Sequence, residues 1–130
     1  KEIINKAQIL SLHLPQTKKT VGFLNRSFIE KMKNPFWLIN TSRGKVVVTE
    51  DLVEGLKTKK ILGAGLDVLE YESNSFNSIT NSNKIAPSLE YLIKSDKVLL
   101  SPHVAGWTYE SHKKLALTIV KKIRDLRLTN

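Results

Sequence analysis

Arg43, Glu72 and His103 are the side chains with the most chemistry to offer in this chain. An arginine can clasp a carboxylate through two parallel hydrogen bonds. A histidine gives or takes a proton near neutral pH. A carboxylate behind it can fix the imidazole tautomer and favour the charged ring. Together they can hold an anionic substrate and move one proton at an oxygen beside it. Each alone has a plainer reading. Arg43-Gly44 fits a surface turn, Glu72 lies in a polar loop, and His103 follows Pro102 where a turn residue would sit. His13 reads as a pocket-wall or backbone-satisfying histidine and His112 as a solvated helix residue. Trp37 and Trp107 read as core or helix-entry packing. The chemical reading rests on the set.

The set is useful only if the chain folds it together, and the hydrophobic pattern says how. Ala7 to Leu14, Phe36 to Asn40, Ile61 to Leu69 and Lys97 to Leu100 are short apolar runs that predict buried strands. Between and after them lie helical patterns. The first is Asn25 to Lys33, with Phe28, Ile29 and Met32 on one side, stopped by Asn34-Pro35. The second begins at Thr49, read as its cap, and carries Leu52, Val53 and Leu56. The third runs from Trp107 to Leu128, with Leu115, Ile119, Ile123 and Leu126 at helical spacing. Residues 73–96 read as a polar connection with one helical turn at Ser88 to Ile93. Strands alternating with helices predict an α/β fold with a parallel sheet and right-handed crossovers. Near-continuous apolar strands predict a sheet covered on both faces. In such sheets ligands sit beyond the carboxyl ends of the strands. The first strand ends in His13-Leu14-Pro15, the second in Asn40 to Gly44 and the fourth in Ser101 to His103, while the third carries Asp67 and runs out at Glu70 to Glu72, so a parallel sheet brings these ends to one rim.

Bulk properties exclude several classes. Hydrophobic residues make up 41% and charged residues 25%, a globular rather than a disordered balance. No apolar run approaches the roughly 20 residues of a membrane span, and no secretory leader pattern stands at the start. There is no cysteine, hence no disulfide and no thiolate metal site; no metal is expected. The absence of cysteine fits a cytoplasmic protein. The net charge is +9, but the lysines are scattered and no aromatics interleave with them, so no nucleic-acid partner is expected.

Several stretches resemble the D-isomer-specific 2-hydroxyacid dehydrogenase family, which includes D-lactate, D-3-phosphoglycerate, glycerate and formate dehydrogenases. They are Ser11 to Thr17 (SLHLPQT), Asn40 to Gly44 with Val46 to Leu56 (NTSRG and VVVTEDLVEGL), Gly63 to Val68 (GAGLDV) and Leu99 to Gly106 (LLSPHVAG). The resemblance implies the second half of a doubly wound, Rossmann-like NAD-binding domain, truncated. Residues 1–106 would be that half and 107–130 an amphipathic helix returning toward a substrate domain. It implies that Arg43 holds the substrate carboxylate and polarises the keto oxygen. His103 would donate the proton and Glu72 would hydrogen-bond His103. Pro15, Thr41, Arg43, Asp67, His103 and Gly106 would line the cofactor, with Asp67 on the nicotinamide carboxamide. The implied cofactor is NAD, with NADP left open, and the substrate a small 2-oxo or 2-hydroxy acid, D-3-phosphoglycerate among the candidates. The intact protein would be a homodimer and the isolated chain inactive.

Three departures stand beside this. The GxGxxG turn and the acid that reads the adenosine ribose are not in the chain. Ser73 follows Glu72 where the family usually has proline, which makes Glu70 the alternative acid, although the spacing from Asp67 favours Glu72. The stretch Ser73 to Asp96 is longer than is typical and reads as a tolerated surface insertion. Two other functions are weighed against the dehydrogenase. One is a corepressor-like regulatory member of the same fold acting through protein partners, which has no need of all three of Arg43, Glu72 and His103. The other is a basic nucleic-acid-binding domain.

Overall fold

A computed structural model describes residues 1–71 and 85–127. Its elements in order are α1 (Glu2–Lys6), β1 (Ile9–Leu12), α2 (Arg26–Lys31), β2 (Phe36–Asn40), a 3-10 turn (Gly44–Val46), α3 (Thr49–Lys57), β3 (Ile61–Leu66), α4 (Pro87–Lys94), β4 (Val98–Leu100) and α5 (Tyr109–Arg127). The four strands form one parallel sheet in the order β1-β2-β3-β4. This is the α/β, partial Rossmann-like architecture that the strand–helix alternation predicts.

Register decides where the strands end. Leu12 pairs with Asn40, Asn40 with Leu66, and Leu66 with Leu100. The last residue of every strand therefore lies in one row across the sheet. Whatever follows each strand leaves from the same carboxyl edge.

Helices α2, α3 and α4 cover one face, with α3 packed between the other two. Their Ile29, Leu52, Val53, Leu56 and Leu92 share one core cluster with Leu10, Leu12, Phe36, Leu38, Ile61, Ala64 and Leu66 from the strands. Strand side chains alternate between faces, so the other half of each strand points away. On that side lie Ile9, Trp37, Ile39, Leu62 and Leu99, with Trp37 51% and Leu99 74% exposed. The expectation of a sheet covered on both faces is therefore corrected: the described residues cover one face only. Hydropathy marked the strands as apolar but could not say what packs on them. Trp37 is likewise not a core residue. Its ring lies across Gly63, where an added Cβ would stand 2.4 Å from Trp37 Cζ3.

Three other expectations change. Thr49 is not a cap: it is the first residue of α3, and Val48 before it offers no side-chain acceptor. The cap Asn25 at α2 does work through its side chain, accepting from Phe28 N at 3.1 Å. The helical turn expected at Ser88 to Ile93 is there, as α4, but it is no surface insertion: it buries Leu89 and Leu92 between β3 and β4. Trp107 is 76% exposed and packs no helix entry. Along α5, Leu115, Ile119, Ile123 and Leu126 are exposed. No helix of the described residues is long and apolar enough to cross a membrane.

Candidate active site

The carboxyl edge carries two buried polar residues, Asn40 at the end of β2 and Asp67 just past β3. Each holds one of the loops that bear the candidate chemistry.

Asn40 holds the arginine turn. Its side-chain oxygen accepts from Ser42 N at 3.1 Å and Ser42 Oγ at 2.8 Å, and its amide nitrogen donates to Arg43 O at 3.1 Å. An asparagine that bonds the backbone two residues on builds a turn by itself. The turn places Arg43 in the open, exposed beyond β2, with Nη1 donating to Ser42 O at 2.6 Å. Gly44 follows because nothing larger fits. A Cβ there would stand 1.8 Å from the Leu69 carbonyl oxygen.

Asp67 holds the histidine loop. Only 3% exposed, its Oδ1 accepts from Ser101 Oγ at 2.6 Å and Val104 N at 2.8 Å, and its Oδ2 from Ala105 N at 2.9 Å. Its backbone oxygen accepts from His103 N at 2.9 Å, and its own N–H donates to Asn40 O at 3.0 Å. His103 itself sits at φ 57°, in the left-handed region. A non-glycine residue there costs on the order of 1–3 kcal/mol and persists only where its surroundings fix it. The four bonds from Asp67 to residues 101–105 are what fix it.

Burial alone would raise the Asp67 carboxyl pKa. The Ser101 hydroxyl, the Ala105 and Val104 amides and the nearby His103 outweigh burial and hold it below its ordinary value. A carboxyl with a depressed folded pKa stabilises the fold above its unfolded value, about 3.9, and loses that contribution as pH falls through the lowered one. The carboxyl carbon resonance of Asp67 is therefore expected to show no protonation step from neutral pH to about 4 and to show one only below that. A protonation step of that carboxyl above about pH 5 would contradict this assignment.

Arg43 and His103 thus leave strands on either side of β3, with Asp67 between them. Pro15, after β1, and Thr41 and Gly106 are exposed on the same edge. Among the described residues, nothing beyond its own chain neighbours lies within 4 Å of where a Cβ of Gly106 would stand. His13 is exposed and its Nε2 lies 2.8 Å from Ser11 Oγ, and His112 is exposed on α5. Glu72 lies outside the described residues. The alternative acid, Glu70, is engaged elsewhere: its Oε2 accepts from Thr49 N at 2.8 Å, at the start of α3. Among the described residues no group of histidine and acidic side chains is placed to bind a metal.

Sequence reading missed the parts played by Asn40, Ser101 and Glu70. The first had a signal, an asparagine just before a small-residue turn. Glu70 had none, because its partner is 21 residues away in the chain.

The family model for the D-isomer specific 2-hydroxyacid dehydrogenase NAD-binding domain matches residues 1–105. A glyoxylate reductase of Thermofilum pendens is 40% identical over 114 residues, which are 88% of this chain and 30% of that protein. A D-lactate dehydrogenase of Lactiplantibacillus plantarum is 34% identical over 108 residues, 82% of this chain and 32% of that one. The crystal structure of D-lactate dehydrogenase from Aquifex aeolicus, complexed with NAD and lactic acid, superposes with a TM-score of 0.75 at 32% identity. It covers 98% of this chain and 39% of its own. The chain spans between 30 and 39% of the length of these relatives.

Proposed function

The chain belongs to the D-isomer specific 2-hydroxyacid dehydrogenase family, as part of its NAD-binding domain, and from that premise we propose that the protein carrying it interconverts a 2-oxo acid and a D-2-hydroxy acid with NAD(H). The observation that supports this most is the register row. It brings the Arg43 turn and the His103 loop to one edge, held by Asn40 and Asp67 from neighbouring strands.

Arg43 is the residue for the substrate carboxylate. Its guanidinium is exposed beyond the edge, and its fork geometry matches a carboxylate. His103 is the residue for the proton, delivered to the carbonyl oxygen during reduction and taken back during oxidation. Glu72 is the acid we assign to hold the imidazole, since Glu70 is committed to α3. Pro15, Thr41, Arg43, Asp67, His103 and Gly106 are the residues we assign to the cofactor site. The space that the described residues leave beside Gly106 and the Asp67 oxygen to which they give a single donor both suit it. The cofactor, when bound, supplies or accepts the hydride. Residues 1–106 form the cofactor half, and the exposed stripe of α5 suits a helix returning toward a substrate domain.

The substrate lies within the 2-oxo acids. Relatives are named for glyoxylate and lactate, and D-3-phosphoglycerate stays a candidate. The test is NADH oxidation by the full-length protein against a panel of 2-oxo acids, glyoxylate, pyruvate and 3-phosphohydroxypyruvate included. Turnover of one or more establishes the reaction and names the substrate. A protein that binds NADH and reduces none of them rejects the reading.

A further inference from the structure

Helix α3 starts without a cap of its own. Val48 has no acceptor to offer, and Thr49, the first helical residue, is buried with a backbone N–H that would otherwise lack a partner. The Glu70 carboxylate fills that place from the exit of β3. A carboxylate at a helix N-terminus is also favoured by the helix dipole.

A second contact joins the same two segments. Gly44 lies flat on the Leu69–Glu70 peptide: a Cβ on Gly44 would stand 1.8 Å from Leu69 O and 2.7 Å from Glu70 N. The stretch from Gly44 to Thr49 is therefore gripped at both ends by Leu69 and Glu70. Arg43 is the residue just before the grip. Among the described residues its side chain bonds only its neighbour Ser42 O, so its position depends on its backbone, held by Asn40 in front and by this grip behind.

We propose that Glu70 is a positioning residue for Arg43: by bonding Thr49 N it fixes the turn that presents the guanidinium to the substrate carboxylate. This rests on the dehydrogenase reading above. A cap alone would stabilise α3 by about 1 kcal/mol and leave kinetics untouched; a positioning residue moves the KM for the acid.

Three variants of the full-length protein separate these. Glu70→Ala removes the acceptor. Thr49→Pro removes the donor, since proline lacks the N–H yet suits the first helical position. Val48 is already extended (ψ 111°), as a residue before proline must be. Glu70→Gln keeps an oxygen that can accept. At a temperature where circular dichroism shows all three folded, Glu70→Ala and Thr49→Pro should raise the KM for the 2-oxo acid about tenfold or more. Their kcat and NADH affinity should stay within about threefold, and Glu70→Gln should stay close to wild type throughout. Folded variants with lowered melting temperatures and unchanged KM would reduce Glu70 to a helix cap and overturn the proposal. So would a Glu70→Gln as impaired as Glu70→Ala beside a normal Thr49→Pro. If the wild type reduces no 2-oxo acid, the dehydrogenase reading fails by itself, and hydrogen exchange decides the grip. Thr41 to Lys45 amides that exchange faster in both Glu70→Ala and Thr49→Pro would sustain it, and unchanged exchange would end it.

Discussion

In the full-length protein, His103→Ala is expected to lower the rate of 2-oxo acid reduction by about 10²–10⁴-fold, the contribution usual for a positioned general acid. The reason lies in the loop as much as in the ring. His103 is held in the left-handed region by bonds from Asp67 to its own N–H and to Ser101, Val104 and Ala105 on either side. Removing the imidazole leaves all of these in place, because each runs to backbone or to Ser101. The loop should keep its shape and NADH should still bind with near wild-type affinity. The loss should appear in kcat as well as in kcat/KM, since the proton is needed only as the carbonyl is reduced. A variant that keeps a tenth or more of the wild-type rate would mean that another group delivers the proton. A variant that loses NADH binding as well would mean that the ring, and not the backbone, shapes the cofactor side of the loop.

The second large effect is structural. Gly44→Ala should destabilise the protein by on the order of 3 kcal/mol or more, because its methyl would fall 1.8 Å from Leu69 O and 2.1 Å from Leu69 C. No rotamer relieves this: both neighbours are main chain, so one backbone segment must move away from the other. The neighbouring Lys45→Ala removes only an exposed side chain and should lie within about 0.5 kcal/mol of wild type. Thermal melts of the two variants beside wild type give the comparison. Equal melting temperatures would show that Leu69–Glu70 yields easily, and would weaken the grip on Arg43 as well.

The sequence was most legible where local rules and tertiary packing agree. Phe36 to Asn40 is a strand residue for residue as expected, since Pro35 bars a helix before it and the run is apolar throughout. Its end at Asn40 made the placement of Arg43 readable too. Reading failed where an outcome depends on a distant partner. The polar stretch before β4 showed the helical turn at Ser88 to Ile93 but not its burial: Leu89 and Leu92 of α4 make sense only against α3. The side chains of Ile9, Trp37 and Leu99 look like core residues by type, but the described residues leave half or more of each exposed. Asp67 was picked out for a cofactor contact. Its bonds to the histidine loop could not be seen, because they join residues 34 to 38 positions apart.

The order of the strands has one consequence for where a ligand can lie. The four strands run outward from β1 without a reversal, and α2, α3 and α4 share one face. A doubly wound sheet opens its binding crevice at the switch point, where the winding changes direction. A strand added beside β4 would only continue the run. On the proposed cofactor reading, a change of direction at the free edge of β1 would open the crevice beside His13, Leu14 and Pro15, with the His103 loop three strands away across the sheet.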